Sequence, residues 1–486
     1  MKPANPFQKT LFRRKNTDRS AHRRSGKRRE TVLRRVGHFY SRLLRAALYK
    51  GNFRKNQVIT MHFNKVESFL KRHNMAASGI PLLRCTGEFL RAMRDGLAGH
   101  PSSLMMIPTY LSGGRQVPRE QAVIVMDAGG TNFRIAAVHF DDLGSPVVEG
   151  FQKFPMPGTQ GEITCDAFFD ALAGYILEYA DVSERVGFCF SFPTEILPNR
   201  DGRILAFSKE VSIPDAGGRL IGEGINAALA ARGAAPKQFI VLNDTVATML
   251  CGIGYENRDY AGTIGFILGT GTNTCYLENM AEIPKIGGGT GTMAVNLESG
   301  CYSGFPRGDY DCELDAASQN PGDHLTEKMI SGAYLGELIT RTVRGAVREG
   351  LFSERLTAAY DMERVYNMIE ISDFVEGKGV LAQLFAAPDD QAVLFALVED
   401  CFDRAARITA VNFAAILTQT GQGHDPEHPV CIVAEGTTFY KAPLFRPKLE
   451  QYLDTFLRGE LGFYCEIVKA DDATLIGSAV AALINT

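Results

Sequence analysis

One local device occurs twice in this chain, and it restricts the fold more than any other feature. From Ala122 the sequence runs AVIVMDAGGTNFRIAAVHF. The apolar run Val123 to Met126 ends at Asp127, a glycine turn follows at Gly129 and Gly130, and apolar residues resume at Phe133 and continue to Phe140. That pattern predicts two strands joined by a tight turn. From Thr263 the device recurs as TIGFILGTGTNTCYLEN: a run from Ile264 to Leu268, a Gly-Thr-Gly-Thr turn, and a second strand from Thr274 to Leu277. The tetrads Gly129-Gly130-Thr131-Asn132 and Thr270-Gly271-Thr272-Asn273 agree at three of four positions, and their last residues lie 141 apart. That spacing is about one domain length and predicts two halves of similar architecture.

Helical periodicity fills the spaces between. Phe168, Phe169, Leu172, Ile176 and Leu177 share one face, and so do Met329, Ile330, Ala333, Leu335, Leu338 and Ile339. Leu475 to Ile484 reads as a buried helix. Strands alternating with helices give an α/β fold with helices over mixed sheets, and the glycine hairpins put antiparallel pairs into each sheet. The 486 residues are 45% hydrophobic and 22% charged, which excludes a mostly disordered, collagen-like or fibrous chain. No apolar run approaches the roughly 18–20 residues of a membrane-spanning helix. The ten cysteines include no Cys-x-x-Cys pair, so neither a zinc site nor a redox motif is signalled. They read as packed thiols of a reducing compartment, and a cytoplasmic location is expected. The segment His424 to His428 has histidines four apart, but Pro426 breaks a helix there and makes it a surface loop.

The charge is uneven. Residues 1–60 carry 18 Lys and Arg against Asp18 and Glu30, a net of +16 in a chain whose total is -3. Such a leader is expected to be disordered or partly helical, since Val32, Leu33, Val36, Phe39, Tyr40, Leu43, Leu44 and Leu48 fall at helical spacing. It is a candidate for binding anionic surfaces, or an extension upstream of a chain that effectively starts at Met61. No nucleic-acid binding is expected of the core.

A glycine turn aims several backbone N–H groups at one point and lets a phosphate approach the chain. Neither turn is a Walker-A loop, because no Gly-Lys-Ser/Thr follows, and neither is a dinucleotide fingerprint, because a strand follows each. A single such turn is most simply a hairpin. Two of them, one domain length apart, predict a phosphate chain clamped in a cleft between halves. Asp127, at a strand end, is placed to hold Mg²⁺ through water, since Mg²⁺ dehydrates reluctantly. A third strand, Phe239 to Leu242, ends in Asn243-Asp244. A carboxylate there can accept a proton from a substrate hydroxyl that attacks phosphorus. Asp244 reads equally as the N-cap of a helix beginning near Thr245.

From about Phe69 to its C-terminus the chain resembles the hexokinases, sugar kinases of the actin-like ATPase fold. Six motifs carry the resemblance, in the family's order. Asp127-Ala128-Gly129-Gly130-Thr131-Asn132-Phe133-Arg134 is similar to the first phosphate loop, and Gly187-Phe188-Cys189-Phe190-Ser191-Phe192-Pro193 to the sugar-loop signature. Asn243-Asp244-Thr245-Val246 resembles the catalytic-base segment, and Gly269-Thr270-Gly271-Thr272-Asn273-Thr274 the second phosphate loop. Asn296-Leu297-Glu298 and Asn320-Pro321-Gly322, followed by Glu327-Lys328-Met329, resemble two further sugar segments.

The resemblance implies a two-lobed, ribonuclease-H-like α/β fold with mixed sheets flanked by helices and a cleft between the lobes. It implies phosphorylation of a hexose, glucose first, at its 6-hydroxyl with ATP and Mg²⁺, in glycolysis. Asp244 would be the general base, and Lys209 would neutralise the transferring phosphoryl group. Ser191, Phe192, Pro193, Ser208, Lys209, Asn243, Asp244, Asn273, Glu298 and Glu327 would surround the sugar. Asp127, Gly129, Gly130, Thr131, Asn132, Arg134, Gly269, Thr270, Gly271 and Thr272 would hold the phosphates and metal, with Gly436 and Thr437 at the adenosine. A small lobe is expected over 121–243 plus about 470–486, and a large lobe over 61–120 plus 244–469, in a monomer or homodimer. Phe207-Ser208-Lys209-Glu210-Val211 and Ala473-Thr474-Leu475-Ile476-Gly477 depart from the family pattern, as does Glu435, where Asp is usual. A non-catalytic sugar sensor on the same fold is the alternative, although such a protein has no chemical need for Asp244.

Overall fold

Two sheets share one strand order. The computed structural model describes residues 64–113, 116–207, 211–254 and 259–485. Ser208, Lys209 and the basic leader therefore lie outside the described residues. A two-residue strand, β1 (Ile107–Pro108), precedes the first sheet. That sheet comprises β2 (Val123–Ala128), β3 (Asn132–Phe140), β4 (Pro146–Pro155) and β5 (Arg185–Phe190). A small hairpin follows, β6 (Thr194–Ile196) with β7 (Gly202–Ile204), and then the sheet's fifth strand, β8 (Gln238–Leu242). The second sheet takes β9 (Gly262–Leu268), β10 (Thr272–Asn279), β11 (Thr292–Asn296), β12 (Val430–Glu435) and β13 (Cys465–Val468).

The first sheet is ordered β4-β3-β2-β5-β8 and the second β11-β10-β9-β12-β13, with β1 added on the β11 edge. In each, three antiparallel strands continue into two parallel ones. The repeated device of the sequence is thus the first hairpin of each sheet. Both of its turns close on one backbone bond, Gly129 N–H to the Asn132 carbonyl at 3.1 Å and Gly269 N–H to the Gly271 carbonyl at 2.9 Å.

Strand β2 is buried along its whole length, which explains its unbroken apolar run. Ile124 and Met126 face a core with Phe168, Phe169, Leu172 and Ile225, under the helices Cys165–Leu177 and Ile221–Ala231. Val123 and Val125 face a core between the two sheets. That middle layer consists of two helices, Asp244–Gly254 and Ala473–Ile484. Each follows the fifth strand of one sheet and packs on the other: Asp244–Gly254 on β9 and β12, Ala473–Ile484 on β2 and β5. The predicted buried helix at Leu475–Ile484 is this element. Beneath the second sheet, the 33-residue helix Pro388–Thr420 forms the spine of the largest core.

The periodic stretch Met329 to Ile339 is two helices, Leu325–Ile330 and Leu335–Arg348. The break at Ser331-Gly332 has a cause: Gly332 N–H donates to the Gly269 carbonyl at 2.8 Å and Ala333 N–H to the Thr270 carbonyl at 3.1 Å. Residues that would continue the helix bind the second glycine turn instead. The His424 to His428 segment is an exposed loop, as its proline predicted.

The two middle helices touch through glycine. A Cβ on Gly477 would stand 1.8 Å from the Ala247 carbonyl oxygen, and one on Gly187 of β5 would stand 2.0 Å from the Ser478 carbonyl oxygen. Both contacts are with backbone, which cannot swing aside. Gly477→Ala should therefore destabilise the fold by about 1–3 kcal/mol or more, as overpacking of a dense core does. Urea unfolding checks this: the midpoint should fall at unchanged slope, and an unchanged midpoint would show that the helices part freely.

Candidate active site

The carboxyl ends of β2, β5 and β8 and the glycine turn of the second sheet converge on a set of carboxylates. Asn243 follows β8, and its carbonyl accepts the Ala247 N–H at 2.9 Å, the first bond of the helix. Its Oδ1 accepts Thr245 N–H at 2.8 Å. Asn243 thus does the capping that the sequence allowed for Asp244. Asp244 is the first residue of the helix, and its Oδ1 shares the Thr245 N–H at 2.7 Å.

Burial pushes the Asp244 carboxyl up from an ordinary 3.8 to about 6. The charges of Glu298 and Asp127 push the same way, and the Thr245 donors oppose them. This shift places three residues from distant parts of the chain within one another's field. Glu298 Oε1 accepts Asn273 Nδ2 at 3.0 Å and Asn296 Nδ2 at 2.6 Å. Its carboxyl is also raised by burial, against those two amides. Glu298 sits at φ 55 and ψ 51, left-handed backbone in a residue that is not glycine. Such a conformation costs about 1–2 kcal/mol and persists where the surroundings over-determine it, commonly at functional sites. Behind it, Asn412 of the long helix donates to Thr274 Oγ1 at 2.6 Å, and Thr274 meets Ser299 Oγ at 3.0 Å.

The two glycine turns differ. The second is held on several sides: the Gly269 carbonyl takes Thr438 Oγ1 at 2.8 Å as well as Gly332 N–H. Glu327 Oε2 takes the Thr272 N–H at 3.0 Å. A Cβ on Gly271 would stand 2.6 Å from that same Oε2, and Gly436, at φ 111, would press one to 2.2 Å from the Leu268 carbonyl oxygen. The fold demands glycine at 436, where the obstruction is backbone, whereas at Gly271 the obstruction is the end of the Glu327 side chain. Thr272 is buried and its hydroxyl donates to the Ile267 carbonyl at 3.0 Å, so Thr270 and Thr437 are the exposed hydroxyls here. In the first turn, Gly130 has nothing within 4 Å of its absent Cβ, Gly129 has only the Asn132 carbonyl at 3.7 Å, and both have ordinary φ. The fold does not require glycine at either position. Thr131 is exposed, its hydroxyl accepting Asn132 Nδ2 at 2.8 Å.

Asp127 is 2% exposed, and its Oδ2 pairs with Arg134 at 2.6 Å and accepts Thr474 Oγ1 at 2.8 Å. Burial raises its carboxyl, and Arg134, Thr474 and Cys189 hold it down. The sugar-loop segment starts beside it, Ser191 N–H donating to the Ala128 carbonyl at 3.1 Å. Ser191 is half-buried, Phe192 buried and Pro193 exposed. Among the described residues, hydrogen bonds and charge interactions link Asp127, Asp244, Asn273, Glu298 and Glu327.

Three contributors were not foreseen as site residues. Asn296 carried a signal, standing two residues before Glu298 in a quoted motif. Thr474 stands in the quoted segment Ala473 to Gly477, although its partner lies 347 residues away, and Asn412, whose partner lies 138 residues away, carried no signal.

Two family models, both described as Hexokinase, match residues 65–253 and 263–484. Hexokinase-2 of Rattus norvegicus is 30% identical over 415 residues, covering 80% of this chain and 45% of that protein. Hexokinase-1 of Nicotiana tabacum is 29% identical over 428 residues, covering 81% and 86%. The chain spans about half the length of the mammalian relatives that it matches. Among solved structures, a Schistosoma mansoni hexokinase complexed with glucose has a TM-score of 0.66 at 22% identity, covering 87% of this chain and 99% of that one. This last likeness speaks for the fold.

The Asp244 environment makes a prediction that needs no substrate. Since the Glu298 charge helps to raise the Asp244 carboxyl, Glu298→Gln should bring it below about 6. A ¹³C NMR titration of the labelled aspartates checks this, and an unmoved Asp244 signal would mean that the Glu298 charge does not act on it.

Proposed function

The chain belongs to the hexokinase family, and from that premise we propose that it transfers the terminal phosphoryl group of ATP to the 6-hydroxyl of a hexose, with glucose the first candidate. The products are hexose 6-phosphate and ADP, and the reaction is the first step of glycolysis. The observation that carries this reading is Asp244: a carboxylate at the end of β8, raised to about 6 and set between the sugar-side Glu298 and the phosphate-side Asp127.

A primary hydroxyl is a weak nucleophile at neutral pH, so its proton must leave as its oxygen attacks phosphorus. Asp244 accepts that proton, the new O–P bond forms, and the bond to the ADP oxygen breaks. A base titrating near 6 is ionised at neutral pH yet basic enough to take the proton. Glu298, Asn273 and Glu327 receive the sugar hydroxyls. Ionised carboxylates only accept hydrogen bonds, whereas amides both donate and accept. A sugar lacking a hydroxyl would leave one of these half-buried groups a hydrogen bond short, and that discriminates. Ser191 and Asn243, with Ser208 and Lys209 on the strength of the family motif, complete the ring.

Gly129, Gly130, Thr131 and Asn132 on one side, and Thr270, Gly271, Gly436 and Thr437 on the other, hold the nucleotide. The open space at Gly129 and Gly130 supports this: glycine there serves something other than the fold. Asp127 fits a Mg²⁺ accompanying ATP, because a buried carboxylate already paired with Arg134 and Thr474 suits contact through water. When bound, such an ion neutralises charge on the phosphates. The first sheet with the helix Ala473–Ile484 would be the small lobe and the second sheet with its helices the large one. Among the described residues no helix is long and apolar enough to cross a membrane.

Asp244→Ala should lower turnover about 10²–10⁴-fold while glucose affinity, resting on Asn273, Glu298 and Glu327, changes only a few-fold. In the parent protein kcat/KM should fall as pH drops below about 6, the value to which burial raises Asp244. The native carboxyl binds its proton more tightly than the unfolded one, so this group costs stability as pH rises from 3.8 to 6 and above. Asp244→Asn should therefore stabilise the fold at pH 7 by up to about 3 kcal/mol. Steady-state kinetics and melting curves of the variants check both; near-normal phosphorylation by Asp244→Ala would remove it as the base.

Gly130→Ala separates binding from folding. The melting temperature should stay the same, because nothing lies within 4 Å of the added Cβ. KM for ATP should rise several-fold while KM for glucose holds.

A further inference from the structure

Beside the Cys189 thiol, Asp127 has two stronger partners of unlike character. Arg134 lies directly opposite it across the β2–β3 hairpin, and its side chain is 34% exposed. A guanidinium carries five donors in a plane and binds phosphate as readily as carboxylate. It stands two residues beyond the first phosphate turn, so an arriving nucleotide competes with Asp127 for it. Thr474 is the opposite case. It is the second residue of the helix Ala473–Ile484, and its short side chain points its hydroxyl at the buried carboxylate at 2.8 Å.

The position of that hydroxyl is fixed by packing. One turn further along the same helix, Gly477 lies against the Ala247 carbonyl and Ser478 against Gly187 of β5. Ala247 is three residues beyond Asp244. One rigid chain of contacts therefore runs from Asp244 through Ala247 and Gly477 to Thr474 and Asp127. Just before the helix, Asp472 stands at φ 53, left-handed backbone that Asp adopts more readily than most residues.

Resting on the function read above, we propose that Thr474 is a positioning residue for Asp127. It holds the carboxylate toward the nucleotide side of the cleft when Arg134 turns to the phosphates. Asp127 keeps its place in register with Asp244 because both are located from the same pair of helices. Without the Thr474 hydroxyl, a buried carboxylate released by Arg134 would lack a hydrogen bond that the fold otherwise supplies, and its rotamer would loosen.

The test uses the whole chain with Thr474→Val, which keeps the shape and removes the hydroxyl, and Thr474→Ser, which keeps the hydroxyl. Thr474→Val should lower kcat, and kcat/KM for ATP, by roughly tenfold or more, the size of one hydrogen bond to a charged group, with the Kd for glucose unchanged. Thr474→Ser should stay within about twofold of the parent. In an Asp127→Asn background, Thr474→Val should cost much less than in the parent, since coupled residues are not additive. Ligand-free crystal structures in an Arg134→Gln background, where Asp127 lacks its ion pair, give a second readout: Asp127 should change rotamer or lose order when Thr474→Val is added and remain in place with Thr474→Ser. Equal losses for Val and Ser, full additivity with Asp127→Asn, or an unmoved Asp127 with undiminished turnover would each overturn the proposal. If the parent chain phosphorylates no hexose, the functional reading fails, and the crystal structures still decide the role of Thr474.

Discussion

The architecture depends on how closely two helices and a strand approach one another at glycine. At Gly187 and Gly477 there is no room for even one carbon atom. Because the obstructing atoms are backbone carbonyls, the helix Ala473–Ile484 has one seating against β5 and against the helix Asp244–Gly254. Side chains can trade volume with their neighbours in a core, but backbone against backbone cannot. These contacts therefore set distances that the site above them inherits. The first residue of one helix is Asp244, and the second residue of the other reaches Asp127.

On that frame the chain assembles carboxylates that would repel one another in isolation. Asp127, Asp244, Glu298 and Glu327 are all raised by burial. Each is restrained by local donors: Arg134 and Thr474 for Asp127, the Thr245 N–H for Asp244, two amides for Glu298, the Thr272 N–H for Glu327. These donors make the cluster a polar surface suited to hydroxyl groups, and no group of three such residues placed to hold a metal occurs among the described residues. The left-handed backbone at Glu298 belongs to the same economy, in which local strain is tolerated to aim one carboxylate.

Much of this was legible in the sequence because it is local. The two hairpins, the helix at Cys165–Leu177 and the buried C-terminal helix follow from periodicity and turn residues within about 20 positions. The strand end at Asp244 was legible too, although its role was not: only the placement of Asn243 shows which residue caps the helix. The break at Ser331-Gly332 was illegible, because the apolar period continues straight across it and the bonds that break it come from Gly269 and Thr270. Gly129 and Gly271 look alike in sequence and differ in structure, one facing open space and the other pressed against Glu327. Thr474 stands in a segment marked by its departure from the family pattern, yet its bond to Asp127 is visible only once β2 is placed beside it. Long-range pairs of this kind leave no period and no motif behind.

The exchange of helices between the two sheets has a mechanical consequence. Each sheet is covered on its inner face by a helix that the other sheet's last strand delivers, so the pair of helices is shared property and neither half is complete without the other. Any turning of one sheet against the other must then occur about the crossing of those two helices. The crossing at Gly477 and Ala247 acts as a bearing: backbone in contact with backbone tolerates rotation through small angles but allows no gap to open. A cleft built over such a bearing would change its width at the rim while its floor, where Asp244 and Asp127 stand, kept a constant span.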